Sequence, residues 1–393
     1  MHSLSQSPTE PGFVQNPYPF YDRLRALGPL VYWQDYDLIC AAGTEAVTVF
    51  LKDRRFGREA PPGFAPPRAA HTAPFYEVDD NSMLELEPPR HTRLRGLVMR
   101  AFTSRRIAKL EAGIAEVCDQ RLAAVEGEFD LLEVLGRPLP VITIARLLGV
   151  PEEMADQLLA WSNAMVAMYQ AKRTYEMEVA AATAASEFSA FIREHASARR
   201  SAPADDLITE LLAANEDGER LSEAELIATC ILLLNAGHEA TVHTIGNGAR
   251  ALMLHGAKPE WFTDDAIGAT VEEVLRWDPP LHLFTRWVTE DLTAFGHDFK
   301  LGDRVGLLLA AANHDPSHWP EAQKFDPTRP IRANASFGSG LHFCVGAPLA
   351  RLELRIALQK LFTRFPDLRM TEPPVYADNY HFHGLERLMV APR

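Results

Sequence analysis

The clearest apolar rhythm in the chain follows residue 346. From Ala347 to Phe365, the positions Leu349, Leu352, Ile356, Leu361 and Phe365 recur at helical spacing and predict a helix with one buried face. A second apolar run begins at Leu226, behind Ser222-Glu-Ala-Glu225, an S-x-x-E capping box. It predicts a helix from Ser222 to about His255, stopped by Gly256 and roughly 50 Å long at 1.5 Å per residue. Residues 105–215 predict successive amphipathic helices broken at Gly136, Gly149-Val-Pro151 and Ser201-Ala-Pro203. Shorter patterns precede them. Pro19 to Leu27 is helical, and Leu30-Val-Tyr-Trp33 and Leu38-Ile-Cys-Ala41 are strand-like, which gives a small β-containing part at about 17–60. Thr285 to Thr289 is a further strand-like run. Residues 61–74 hold five prolines and predict a long loop. The pattern is mainly α with a small β region, and nothing along residues 1–393 divides it into two domains.

Composition narrows the function. The 393 residues carry a formal charge of −14, which disfavours nucleic acid or an anionic membrane as partner. Cys40, Cys118, Cys230 and Cys344 are dispersed and form no CxxC pair, so neither a disulfide framework nor a zinc site is expected. The N-terminus lacks a basic-then-apolar signal, and the longest apolar run, Leu226 to Gly237, is too short to span a bilayer. A cytoplasmic protein fits these features.

The chemistry concentrates at Phe337-Gly-Ser-Gly-Leu-His-Phe-Cys344-Val-Gly346. Cys344 lies in a glycine-rich loop just ahead of a helix N-terminus, where amides and the helix dipole favour an anionic sulfur. Such a thiolate suits a soft metal centre, haem iron included. The loop is not a Walker A loop, because no Gly-Lys-Ser/Thr follows. It also lacks the third glycine of a dinucleotide fingerprint.

This stretch resembles the haem-binding loop of the cytochrome P-450 family, F-G-x-G-x-H-x-C-x-G, and matches every fixed position. Other patterns follow in the family's order. His91 and Arg95, four apart, resemble the H-x-x-x-R pair that binds a haem propionate, and Arg286 and His342 fall where further propionate contacts are expected. Glu273 and Arg276 resemble the buried E-x-x-R, with Arg329 as its third member, in a structural role. Ala236-Gly237-His238-Glu239-Ala240-Thr241 resembles the oxygen-binding motif of the central helix, with one departure. Alanine follows the acid, and Thr241 comes one residue later, about 100° further round the helix. Gly237, costing about 1 kcal/mol in a helix interior, suggests close approach of a flat group or a local opening.

The resemblance implies the triangular cytochrome P-450 fold, with haem b (iron protoporphyrin IX) between the long helix and the Cys344 loop. Cys344 would ligate iron, and Phe337, Gly346, Ala236 and Gly237 would contact the haem. Glu239 and Thr241 would serve proton delivery. Phe75, Met83, Asn235, Leu283 and Phe284 fall at pocket positions. Trp161 to Glu178 falls at the family's mobile lid, and the tail His381-Phe-His-Gly384-Leu385 at the hairpin that enters the pocket. The implied reaction inserts one atom of O2 into a small organic substrate, by hydroxylation or dealkylation. Electrons would come from a separate ferredoxin-type donor, docking at the six arginines of Arg90–Arg106. A peroxide-using or isomerising haem-thiolate enzyme, and a non-catalytic haem sensor, share these motifs. His238-Glu-Ala-Thr-Val-His243 is one residue too long for HExxH, so the two imidazoles point about 140° apart and share no zinc.

Overall fold

The computed structural model describes residues 1–170, 173–215, 218–380 and 382–392. Its centre is the helix Glu223–Leu254, about 48 Å long by its 32 residues. The capping box forms as its spacing predicts. Ser222 Oγ accepts from the Glu225 amide at 3.2 Å, and the Glu225 carboxylate accepts from the Ser222 amide at 2.8 Å. His255 closes the helix, and Gly256 follows at φ +71°.

Helices Pro138–Leu148, Ala155–Val166, Tyr175–Ser201, Ile267–Trp277 and Ala347–Arg364 pack around it. The expected breaks are present. Gly136 ends a π-helical turn, Leu132–Gly136, and Gly149 closes the next helix in the left-handed region. Ser201 ends the 27-residue helix. The buried faces merge into one apolar core containing Leu226, Ile231, Leu349 and Leu361.

The β region differs from expectation in its membership. Its six-stranded sheet runs in the order His2–Leu4, Val31–Trp33, Leu38–Ala41, Arg304–Leu308, Leu283–Val288, Phe56–Gly57. Two central strands thus come from residues far beyond 60, and one edge strand lies before residue 17. Strand periodicity shows that a run is extended; it does not name its partner. The register sets Arg286 opposite Val305 and Phe284 opposite Leu307. The proline-rich loop turns helical at its end, in Ala73–Asp79. Among the described residues no helix is long and apolar enough to cross a membrane.

Candidate active site

The Cys344 loop is built by backbone. The Cys344 amide donates to the Phe337 carbonyl at 3.0 Å. Gly338 and Gly340 take φ of +67° and +72°, and a Cβ on Gly340 would stand 2.6 Å from the Leu51 carbonyl oxygen. Only glycine allows the loop to seat so closely on helix Thr44–Lys52. The Cys344 sulfur is half-buried. Burial raises its pKa, while the amides of Gly346 and Ala347 and the cations Arg95 and Arg351 pull the other way. The helix that follows, Ala347–Arg364, packs on the long helix.

On the long helix, one stripe is left uncovered by protein. Leu232, Asn235, Ala236, Glu239, Ala240 and His243 retain exposure while their neighbours Leu233, Leu234, His238, Thr241 and Val242 are buried. The spacing is that of a single helix face. Glu239 and Ala236 lie on this stripe. Thr241 does not. It is 4% exposed, and its hydroxyl donates to the Gly237 carbonyl at 2.9 Å. The expected catalytic alcohol is spent on its own helix. A Cβ on Gly237 would meet Ile144 Cδ1 at 3.1 Å, so the small residue also serves a helix contact.

Glu239 has a partner that motif reading overlooks. His243 Nε2 lies 3.4 Å from its Oε2. Burial alone would raise the Glu239 pKa, but the His243 contact, with His238 and Arg137, holds it below the usual value. The signal was present in the i, i+4 spacing of Glu and His. The zinc reading stays excluded: His238 is buried, pushed down to about 4 by that burial, while His243 lies on the uncovered stripe. Gly384 of the tail seats on the His243 ring, where a Cβ would lie 1.8 Å from Nδ1. The tail thus reaches the stripe as the motif order suggests; His381 lies outside the described residues.

The cationic groups gather near the Cys344 loop. Arg95 donates to the Phe343 carbonyl at 2.7 Å, and the His91 and His342 rings lie 4.4 Å apart. His91 is buried with Nδ1 unpartnered, and burial followed by the nearby His342 and Arg95 push it to about 4. His342 departs from expectation, because its Nε2 contacts the Glu87 carboxylate at 2.9 Å. Arg286 is 2% exposed, and among the described residues its guanidinium donates only to the neighbouring Thr285 carbonyl, at 2.9 Å. Burial, then Arg58, lower it to about 9. A buried guanidinium with no carboxylate partner calls for an anion. Haem propionates supply one, so these residues fit the group the motif implies.

Behind the loop, Arg276 grips Glu273 through two bonds of 2.7 Å and donates to the carbonyls of Asn313 and Ala322 at 3.0 Å each. Glu273 also accepts from the Asp326 amide at 2.7 Å and lies 3.5 Å from Arg329 Nε. The three sequence-predicted partners are brought together. Removing one partner of such a buried pair costs about 3–5 kcal/mol.

The pocket candidates divide. Asn235, Leu283 and Phe284 keep exposure, and Phe284 lies within 5.9 Å of both Arg58 and Arg286. Phe75 and Met83 are 3% and 5% exposed, covered by other core side chains rather than open on a wall. The arginine patch is also smaller than its sequence. Arg93 pairs with Glu219 and Glu225, Arg106 with Asp205 and Glu210, and Arg95 turns to the loop. Arg90 and Arg105 remain exposed, as does Met99.

A thiol loop, a cationic anchor and an acid-bearing helix face together define the scaffold of a haem-thiolate oxygenase. The family described as "Cytochrome P450" matches residues 62–256 and 267–375, and the chain belongs to it. It is 37% identical to "Cytochrome P450 monooxygenase PikC" of Streptomyces venezuelae over 96% of this chain and 91% of that protein. It is 38% identical to "Vitamin D(3) 25-hydroxylase" of Pseudonocardia autotrophica, over 96% and 94% of the two chains. Among solved structures, P450BioI in complex with a hexadec-9Z-enoic acid ligated acyl carrier protein superposes with a TM-score of 0.91. The two are 34% identical over 97% of this chain and 100% of that one. The protein is a haem b monooxygenase that uses O2, a small organic substrate and electrons from redox partners.

Proposed function

We propose that Cys344 would supply the thiolate that holds the haem of this monooxygenase, and that the acid–base pair Glu239–His243 would pass protons toward its oxygen site. The observation that carries the reading is the Cys344 sulfur, set at a helix start with the amides of Gly346 and Ala347 bonded to it and the charges of Arg95 and Arg351 nearby. Bound there, haem supplies dioxygen activation, and a cysteine ligand favours O–O cleavage. Arg286, Arg95 and His91 hold the propionates. Phe337, Gly346, Ala236 and Gly237 form the walls. His342 acts through Glu87. Glu273, Arg276 and Arg329 position the loop.

Glu239, ionised at neutral pH, accepts and hands on a proton rather than storing one. Ala240 places no hydroxyl on the stripe, so water or the substrate completes the path. Thr241 supports the helix. Asn235, Leu283 and Phe284 line the substrate pocket, with Phe75 and Met83 packed behind. Residues 1–393 act as one catalytic domain in the cytoplasm. A ferredoxin-type donor docks at the basic patch Arg90–Arg106, where charge steers an acidic partner.

The ferrous carbonyl adduct tests the ligand. A thiolate-type absorption maximum that Cys344→His converts to a globin-like one supports the reading, and a globin-like maximum in the unaltered protein defeats it. Turnover on NAD(P)H with a ferredoxin pair, and not on peroxide alone, tests the electron source.

A further inference from the structure

Asp278, His282 and His383 form a second cluster, outside the haem site. Their ligand atoms all lie within 4.8 Å of one another, and all three side chains are buried. Asp278 closes the helix that carries Glu273, and His282 follows four residues on. His383 arrives from the tail.

The backbones that deliver them are fixed. The His383 amide donates to the Pro280 carbonyl at 2.7 Å, and the Leu309 amide to the His282 carbonyl at 2.8 Å. Asn247 of the long helix donates to the carbonyls of Asp278 and His383 at 3.2 and 2.9 Å. The side chains, by contrast, stop short of one another. Asp278 Oδ1 is 3.6 Å from Nε2 of His282 and 3.6 Å from Nε2 of His383. That is too long for a hydrogen bond. It is near the edge, about 3.4 Å, of a tetrahedron of ligands around zinc.

The outer contacts are those of a ligand set. His282 Nδ1 is 2.8 Å from the Tyr21 hydroxyl, while its Nε2, on a side chain 0% exposed, has no hydrogen-bond partner among the described residues and faces Asp278. Tyr18 and Tyr376 donate to the two carboxylate oxygens at 2.7 and 2.5 Å, fixing their orientation.

We propose that Asp278, His282 and His383 bind a divalent transition cation, zinc by donor chemistry, which fastens the tail to the segment after the Glu273 helix. The fastening bears on the active site through the next residue, Gly384, which seats on His243.

The test uses the haem-loaded full chain, stripped with chelator, dialysed against micromolar zinc and then against metal-free buffer. Elemental analysis is expected to give about one zinc per haem iron. The melting temperature should rise by several degrees over the stripped protein. His282→Leu and His383→Phe should each hold less than a tenth of an equivalent, with the Soret band reporting that they are folded. Should either variant fail to bind haem, the zinc uptake and melting shift of the unaltered protein decide alone. Less than a tenth of an equivalent there, with no melting shift, reduces the cluster to a hydrogen-bonded knot and overturns the proposal. Full zinc retention in both folded variants does the same.

Discussion

Glu239 and His243 stand one turn apart on the long helix, with carboxylate Oε2 and imidazole Nε2 separated by 3.4 Å. Both belong to the stripe that keeps partial exposure on this helix. The pairing changes what the motif acid can do. Next to the imidazole it stays ionised despite its burial, which suits the relay role proposed for it.

His243→Leu should therefore act twice. It removes the largest influence that lowers the Glu239 pKa, so the carboxyl should titrate at higher pH and the rate profile should shift upward with it. It also removes a proton carrier, a role worth about 10²–10⁴ in rate where a positioned group transfers the proton itself. We expect product per NAD(P)H consumed to fall about tenfold, with the Soret spectrum intact. Unchanged coupling and an unchanged pH profile would take His243 out of the path.

Thr241 should matter little. Its hydroxyl is already given to the Gly237 carbonyl, and the side chain is buried off the stripe. Thr241→Val keeps the shape and removes a bond worth about 1 kcal/mol net. Coupling should stay within about twofold of the unaltered enzyme. A large rise in uncoupled electron use would place the hydroxyl back in the mechanism.

Arg286 gives a prediction whose sign depends on haem. In the protein alone its guanidinium is buried without a carboxylate, which is costly. Arg286→Met should raise the melting temperature of haem-free protein. In the loaded enzyme the same change deletes a charge-assisted bond of about 1.5–3 kcal/mol, so haem should dissociate roughly tenfold faster or more. Two melting curves and a haem-transfer assay check both signs. Equal shifts with and without haem would deny Arg286 a propionate.

Legibility in the sequence followed locality. The Cys344 loop, the Ser222–Glu225 cap and the Glu273–Arg276 pair are each set by residues a few positions apart, and all three form as spacing predicts. Partners distant in sequence were not readable. Nothing near Arg93 announces Glu225, nothing near His342 announces Glu87, and no strand pattern tells Leu38–Ala41 to pair with Arg304–Leu308. Glu239 and His243 are an intermediate case. Their spacing was visible, but it lay inside a defective zinc motif that spacing had already rejected, and the structure then pairs His243 with Glu239 while His238 is buried.

Glu353 sits on the helix after the Cys344 loop, 1% exposed, with Oε1 unpartnered. Burial raises its pKa to about 8, against a small opposing contribution from Thr143. The folded protein therefore holds a proton there that the unfolded chain has lost above its ordinary value of 4.5. Stability from this residue is fully present below that ordinary value and is lost as pH rises through about 8. The slope in between is about 1.4 kcal/mol per pH unit. Glu353→Gln keeps the shape and cannot ionise, so it should match the unaltered protein near pH 4.5 and exceed it increasingly toward pH 8.5. Denaturant midpoints across that range read the difference directly. Parallel pH profiles for the two proteins would mean that Glu353 is ionised in the folded state, with a counter-charge or water reaching it.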